Sequence, residues 1–166
     1  MTKFDDLCSA YASANVRENQ HRQDAYSFAG ELAQRYKGFL EIPDDCFQLW
    51  PTDKEIKGGM KYTPMGAVHL GEDSFWHLGL ILTFSVSPGT YPKQQIMLHF
   101  RFKEVAEKKY LITISEDGGQ HTLTCGVESE FNTFFEFLQK ELAAWFNDGL
   151  KRFLNQDDSS RHIGFV

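Results

Sequence analysis

Residues 74–87, "SFWHLGLILTFSVS", decide the fold because apolar and mixed positions alternate throughout them. Side chains two residues apart on a strand share a face, and such alternation is typical of an antiparallel strand with one face on a core. The even positions therefore predict a buried face, and the odd positions predict a more polar outer face. The even residues are Trp76, Leu78, Leu80, Leu82, Phe84 and Val86.

The same alternation returns in the next two apolar segments. Residues 94–103, "QQIMLHFRFK", carry apolar side chains at positions 96, 98, 100 and 102, and residues 109–116, "KYLITISE", carry them at positions 110, 112 and 114. The turn residues "PGTY" (88–91) precede the first of these segments and predict a hairpin with residues 74–87. A register centred on that turn places His77 close to Lys103.

A second hairpin is predicted at "EDGG" (116–119), because Asp and Gly best tolerate the positive φ angles of a type I′ turn. This turn pairs Tyr110 with Cys125 and directs the odd residues of the following strand toward the core, so Cys125 is predicted to be buried. His121 and Cys125 lie about 13 Å apart on a strand. That distance is too long for one metal ion or for a catalytic Cys–His pair.

In the sequence, one helical pattern precedes the predicted strands and another follows them. Residues 3–40 show helical spacing and begin with a capping box of Thr2 and Asp5, but their middle is almost wholly polar. One unbroken helix would be about 54 Å long, more than the roughly 40 Å width of a compact chain of this size. The helix therefore either breaks near Asn15 to Gln23 or projects from the domain, and we favour a break. Residues 129–155 carry an aromatic stripe and predict a long helix, with Ser129 as its N-cap.

These elements predict one α+β domain over residues 1–166. It consists of an antiparallel β-meander of about five to six strands, with N-terminal helices and one long C-terminal helix packed on one face. The helical part covers 1–40, the sheet 41–127, the C-terminal helix 128–155 and a tail 156–166. Within the irregular segment 41–74, short strands are expected at "CFQLW" (46–50) and "MGAVHL" (65–70).

Composition restricts the partners and the compartment. A formal net charge of −6 opposes duplex nucleic acid or an anionic membrane as the main partner. Three cysteines without a CxxC pair favour reduced, mostly buried thiols over a disulfide framework. The N-terminus does not resemble a secretory signal, and no apolar run reaches the roughly 18 residues of a spanning helix. We therefore expect a cytoplasmic protein without a membrane partner, and binding of nucleic acid is unlikely.

The outer face of the predicted sheet is the candidate site. It combines groups that are enriched at protein interfaces, such as Met, Arg and aromatic side chains. Three interpretations remain open: a half-solvated face or simple homodimer packing, a binding surface, or the floor of a ligand or catalytic pocket with the 51–63 loop as a lid. The candidate residues are His69, His77, His99, Arg101, Lys103, Phe75 and Met97.

The sequence holds no recognisable catalytic motif. It contains neither GxSxG nor HExxH, and "GGMKYTPMG" (58–66) lacks the Lys-Ser/Thr ending of a P-loop, so no metal and no cofactor are predicted. We expect a non-catalytic interaction module of the regulator, chaperone, immunity or inhibitor type. It would bind a protein partner or a second copy through the outer sheet face or the N-terminal helices. The alternative is a small ligand-binding domain or enzyme with a pocket on the outer face beneath the 51–63 loop.

Overall fold

The computed structural model describes residues 1–86, 93–114 and 119–148, and the backbone of residues 162–163. The helices are α1 (Lys3–Leu40), α2 (Pro64–Ala67) and α3 (Glu128–Asn147), with a 3-10 turn at Asp44–Cys46. The strands are β1 (Phe47–Trp50), β2 (His69–Leu70), β3 (Trp76–Phe84), β4 (Gln94–Ala106), β5 (Lys109–Thr113), β6 (His121–Thr124) and β7 (His162–Ile163).

The strands form one sheet with the order β1-β3-β4-β5-β6, in which all neighbours are antiparallel. β2 pairs antiparallel with β3 beside β1, and β7 pairs parallel with β4. α1 and α3 pack on the face that carries the even residues of β3 and β4. The predicted α+β fold, a meander between an N-terminal and a C-terminal helix, is therefore confirmed.

The buried face of the central hairpin is the predicted one, but its register differs. Leu80 lies opposite Leu98, and both are fully buried. His77 lies opposite Arg101, two residues from the predicted neighbour Lys103. The two strands end at the pair Phe84 and Gln94, so the midpoint of the paired positions is 89, within the segment 88–91. Most of that turn, residues 87–92, lies outside the described residues.

The second hairpin shows the same combination of a correct face and a shifted register. Tyr110 pairs with Leu123 rather than with Cys125, and Ile112 pairs with His121. A shift of two residues preserves the face, so Leu123 is buried as predicted. Cys125 falls beyond the end of β6 and is half-buried, which corrects the expectation of a buried thiol. Residues 116–118 of the predicted turn lie outside the described residues.

The prediction of a break in the N-terminal helix is wrong. α1 is one helix of 38 residues, about 57 Å long, and the predicted capping box of Thr2 and Asp5 begins it. The polar stretch 15–23 contains neither Gly nor Pro, and most of its residue types sustain a helix. All residues from 1 to 23 are exposed, so the helix extends past the domain instead of breaking to stay compact.

The second half of α1 forms the core together with α3 and the sheet. The Phe28 ring stacks on Tyr110 at 4.2 Å between ring centres and contacts Phe102 at 4.9 Å. Tyr36 contacts Phe135 of α3, also at 4.9 Å. Aromatic rings bury large apolar areas, so they account for much of the cohesion of this core. The buried residues of α1 are Ala25, Phe28, Ala29, Leu32, Ala33 and Tyr36.

The predicted C-terminal helix exists, but its boundaries differ. α3 begins at Glu128, and its N-cap is Val127, which makes no side-chain capping bond; Ser129 lies inside the helix. Positive φ at Gly126 (83°) reverses the chain immediately before this start. Residues 149–155 of the predicted helix lie outside the described residues. The buried stripe of α3 is Phe131, Phe134, Phe135, Leu138 and Leu142.

The segment 41–74 agrees with its predicted elements only in part. β1 begins at Phe47, close to the predicted strand 46–50. The predicted strand 65–70 is instead the short helix α2 followed by β2, because Pro64 at the start of the segment suits the first turn of a helix.

The structure also bears on the expected burial of the cysteines and on the expected lack of a spanning helix. Cys8 is exposed, and Cys46 and Cys125 are half-buried, so the expectation of mostly buried thiols is wrong. All three thiols are free. Among the described residues, no helix combines the length and the apolar character that crossing a bilayer requires.

Candidate functional site

The sheet brings four of the predicted site residues together on its outer face. His69 on β2 lies opposite His77 on β3, and His77 lies opposite Arg101 on β4. The rings of His69 and His77 are stacked, with ring centres 5.3 Å apart and planes inclined by 14°. His99 lies one position further along the same face of β4, and its Nε2 is 2.8 Å from Nδ1 of His77. These residues, with Asp73, are called the histidine cluster below.

Asp73 is the member of the cluster that the sequence did not indicate. Its Oδ1 accepts hydrogen bonds from the backbone amide of Phe75 (3.1 Å) and from Nε2 of His77 (3.0 Å). Its Oδ2 accepts a bond of 3.1 Å from Nη1 of Arg101. Burial raises the pKa of Asp73, but the bonds from His77, Phe75 and Arg101 outweigh this and lower the pKa to about 2. Asp73 is therefore an ionised anchor for two basic side chains.

Asp73 reaches the sheet because the β2–β3 turn is tight. The amide of Gly71 bonds to the carbonyl of Phe75 at 2.8 Å, and Ser74 adopts a positive φ of 67°. A Cβ atom at residue 71 would lie 2.5 Å from Nε2 of His77 and 2.7 Å from Oδ1 of Asp73, so the side chain of any other residue would displace the cluster. The only sequence signal for this role is the position of Asp73 in a short turn, four residues before His77.

Phe75 and Lys103 lie beside the cluster rather than in it. The guanidinium of Arg101 lies 5.1 Å from the centre of the Phe75 ring, and Nζ of Lys103 lies 5.5 Å from it. Both distances are typical of cation–π contacts. Phe75 therefore supports the same arginine that Asp73 holds from another direction.

Both ring nitrogens of His77 have a partner. Nε2 lies 3.0 Å from Oδ1 of Asp73, and Nδ1 lies 2.8 Å from Nε2 of His99. His99 is only 5% exposed. This arrangement can fix the β2–β3 turn to β4. Among the described residues, no group of three or more His, Cys, Asp or Glu side chains has the geometry to hold a metal ion.

Met97, the last predicted site residue, lies under the 51–63 loop. It forms a small buried cluster with Trp50 and Ile81, against which Ile56 and Tyr62 pack. Trp50 crosses Tyr62 at 4.8 Å between ring centres and donates from Nε1 to the carbonyl of Lys54 at 3.0 Å. The loop covers this part of the outer face, and its side chains Ile56 and Tyr62 pack against the residues beneath it.

Gly79 makes the close approach of Trp50 possible. A Cβ atom at residue 79 would lie 2.5 Å from the backbone oxygen of Trp50 and 3.1 Å from Sδ of Met97. A side chain at position 79 would therefore collide with Trp50, which explains the presence of Gly in this strand.

A second surface lies on the projecting half of α1, defined as residues 3–23. Phe4, Leu7 and Tyr11 are 71%, 68% and 73% exposed. With Ala14 they follow the alternating three- and four-residue spacing of a coiled-coil seam. The same spacing reaches Ala25, which is buried in the core, through two polar positions, Glu18 and His21. The helix thus carries two apolar stripes on one side, and the domain covers only the second.

A groove of about 580 Å³ lies where α1 leaves the domain. One wall consists of α1 residues from Ala14 to Arg22, and Leu70, Trp76 and Lys103 form the other. His21 and Glu104 approach to 3.7 Å and join the two walls. Leu70 is 57% exposed, so the groove offers apolar surface next to the seam. The sequence indicated the N-terminal helices as one of two candidate binding surfaces, but the expected break in α1 gave no indication of this exposed stripe.

In comparisons with known proteins, no protein-family model, no curated protein and no solved structure matches this chain.

Proposed function

We propose that the protein is an interaction module that binds an amphipathic helix of a protein partner along the projecting half of α1. The observation that carries this proposal is the exposure of Phe4, Leu7 and Tyr11 on one stripe of a helix that has left its own core. Helices dock on one another through such stripes, with apolar anchors at alternating spacings of three and four residues.

The energetics of an exposed helix support this assignment. Isolated helices of fewer than about 15 residues are marginal in water, and most helical stability in proteins comes from packing of an apolar face. Burial of each large apolar side chain is worth roughly 1.5–3 kcal/mol. A partner helix on the stripe would therefore stabilise the projecting half and gain affinity from the same contacts.

The outer sheet face is a weaker candidate for the same role. His77, Asp73 and Arg101 are bound to one another, and the 51–63 loop packs over Met97. A partner would have to break these contacts before it gained its own. A partner that binds the projecting half of α1 would break no such contacts, because the apolar side chains there are already in solvent.

Photo-crosslinking in intact cells tests the proposal. A photoreactive amino acid replaces Tyr11, and a matched variant carries it at Val105, an exposed apolar position (51%) on the sheet. We expect a covalent adduct from position 11, identified by mass spectrometry, and a markedly weaker one from position 105. Equal yields at both positions, or no adduct at position 11, would overturn the proposal.

A further inference from the structure

We infer that the helix bound by α1 is the projecting half of α1 from a second copy of this chain, in antiparallel orientation. The inference rests on the proposed function and names the partner of that surface. Three features of the structure carry it: the sizes of the side chains along the seam, the position of the domain on α1, and the charges beside the seam.

The seam is self-complementary when two copies run antiparallel and are centred near Ser9. Phe4 of each copy then lies against Ala14 of the other, and Leu7 lies against Tyr11. The pairing of a large with a small side chain at the ends, and of two large ones at the centre, gives four apolar layers. Such alternating layers are how antiparallel helices interdigitate.

The position of the domain excludes a parallel pair. From Ala25 onward the domain itself covers the second stripe. In a parallel pair, residues 25–40 of each helix would need the space that the partner's domain occupies. In the antiparallel pair, each domain lies beyond the Phe4 end of the other helix, so the two domains do not meet.

The charges and the groove favour the same register. Asp6 and Arg17 lie on one side of α1, and in the antiparallel pair Asp6 of one copy is about 7 Å along the axis from Arg17 of the other. Helical side chains lean toward their own N-terminus, so these two lean toward each other. Phe4 of the second copy arrives at Ala14, which lines the groove beside Leu70.

Sedimentation velocity tests the assembly. The purified chain of 19.1 kDa is expected to sediment as a dimer, and Leu7→Glu combined with Tyr11→Glu is expected to make it a monomer. Val16→Glu is the matched control, because Val16 is equally exposed (68%) on the same helix but lies off the stripe. All positions are in solvent, so circular dichroism should show the same fold. A monomeric parent chain, or loss of the dimer in Val16→Glu alone, would overturn the inference.

Disulfide trapping tests the orientation, in a Cys8→Ser background. A mixture of Phe4→Cys and Ala14→Cys chains should form a disulfide-linked heterodimer, whereas Phe4→Cys alone should not, because its two thiols would lie about 15 Å apart along the axis. Crosslinking of Phe4→Cys with itself would contradict the antiparallel arrangement. A monomeric chain that still crosslinks to another protein at position 11 would overturn this inference and leave the proposed function standing.

Discussion

His77 and His99 share a hydrogen bond of 2.8 Å on the outer face of the sheet, and His77 bonds to Asp73 through its other nitrogen. The chain of three groups links the β2–β3 turn to β4, the central strand of the sheet. The contribution of the histidine cluster is therefore expected to appear as pH-dependent stability, which substitutions of Asp73 and of His69 test separately.

Asp73→Asn should lower the free energy of unfolding above pH 4, and this effect should shrink as the pH falls toward about 2. The folded pKa of Asp73, about 2, lies below its ordinary value of 3.8, so the stabilisation is complete above the ordinary value and is lost as the pH falls through about 2. The side chain is 36% exposed, so we expect roughly 1 kcal/mol or less. Urea unfolding of both proteins between pH 2 and pH 7 measures this difference, and a constant difference across the range would contradict the assignment.

His69→Phe should weaken the loss of stability on acidification. Burial lowers the pKa of His69 below its ordinary value of 6.5, and repulsion from His77 adds to this against the attraction of Asp53 and Asp73. Because the folded pKa is lowered, the neutral ring stabilises the fold above pH 6.5, and that stability is lost as the pH falls below it. Phe preserves the stacking on His77 but cannot titrate. Thermal unfolding between pH 5 and pH 8 should show a shallower slope for the variant, and parallel slopes would refute the prediction.

Gly79→Ala should destabilise the protein by about 1–3 kcal/mol, because its Cβ would press on the backbone of Trp50. Gly38→Ala is the matched control: it lies in α1 with no atom within 4 Å of its Cβ, and it should raise stability by up to about 1 kcal/mol. Chemical denaturation of both variants gives the comparison. Equal effects of the two substitutions would show that Trp50 does not lie over Gly79.

Phe28→Ala and Phe4→Ala should separate the two halves of α1. Phe28 is fully buried, so its truncation should cost about 3–5 kcal/mol. Phe4 is in solvent, so its truncation should change the free energy of unfolding by less than about 0.5 kcal/mol. Both are measured by denaturation at a concentration at which the chain is monomeric. A large effect of Phe4→Ala in the monomer would mean that the first half of α1 packs on its own domain.

The sequence predicted the faces of the strands better than their registers. Whether Leu80 and Leu98 face the core depends only on local alternation, which the residues display directly. The partner of Tyr110 depends on where the turn begins, and turns of different length preserve the face while shifting the pairing by two residues. The sequence therefore placed His69, His77, His99 and Arg101 on one face, but it did not predict the pairing of His77 with Arg101.

The two larger omissions have a different physical origin. Asp73 acts through a turn that folds back on the sheet, and no periodicity marks such a residue. The continuity of α1 was the less favoured alternative because compactness was assumed, although 15–23 holds neither Gly nor Pro. Helix propensity was the better guide there. The exposed stripe at Phe4, Leu7 and Tyr11 then followed from continuity alone.

Amide hydrogen exchange along α1, measured over a range of protein concentrations, tests the central claim that a second copy buries the stripe of the projecting half. Residues 25–36 serve as the internal reference, because the core protects them in the monomer. We predict that residues 4–14 gain protection as the concentration rises, while residues 25–36 do not change. Residues 4–14 that exchange rapidly at every concentration, beside a protected 25–36, would contradict the claim.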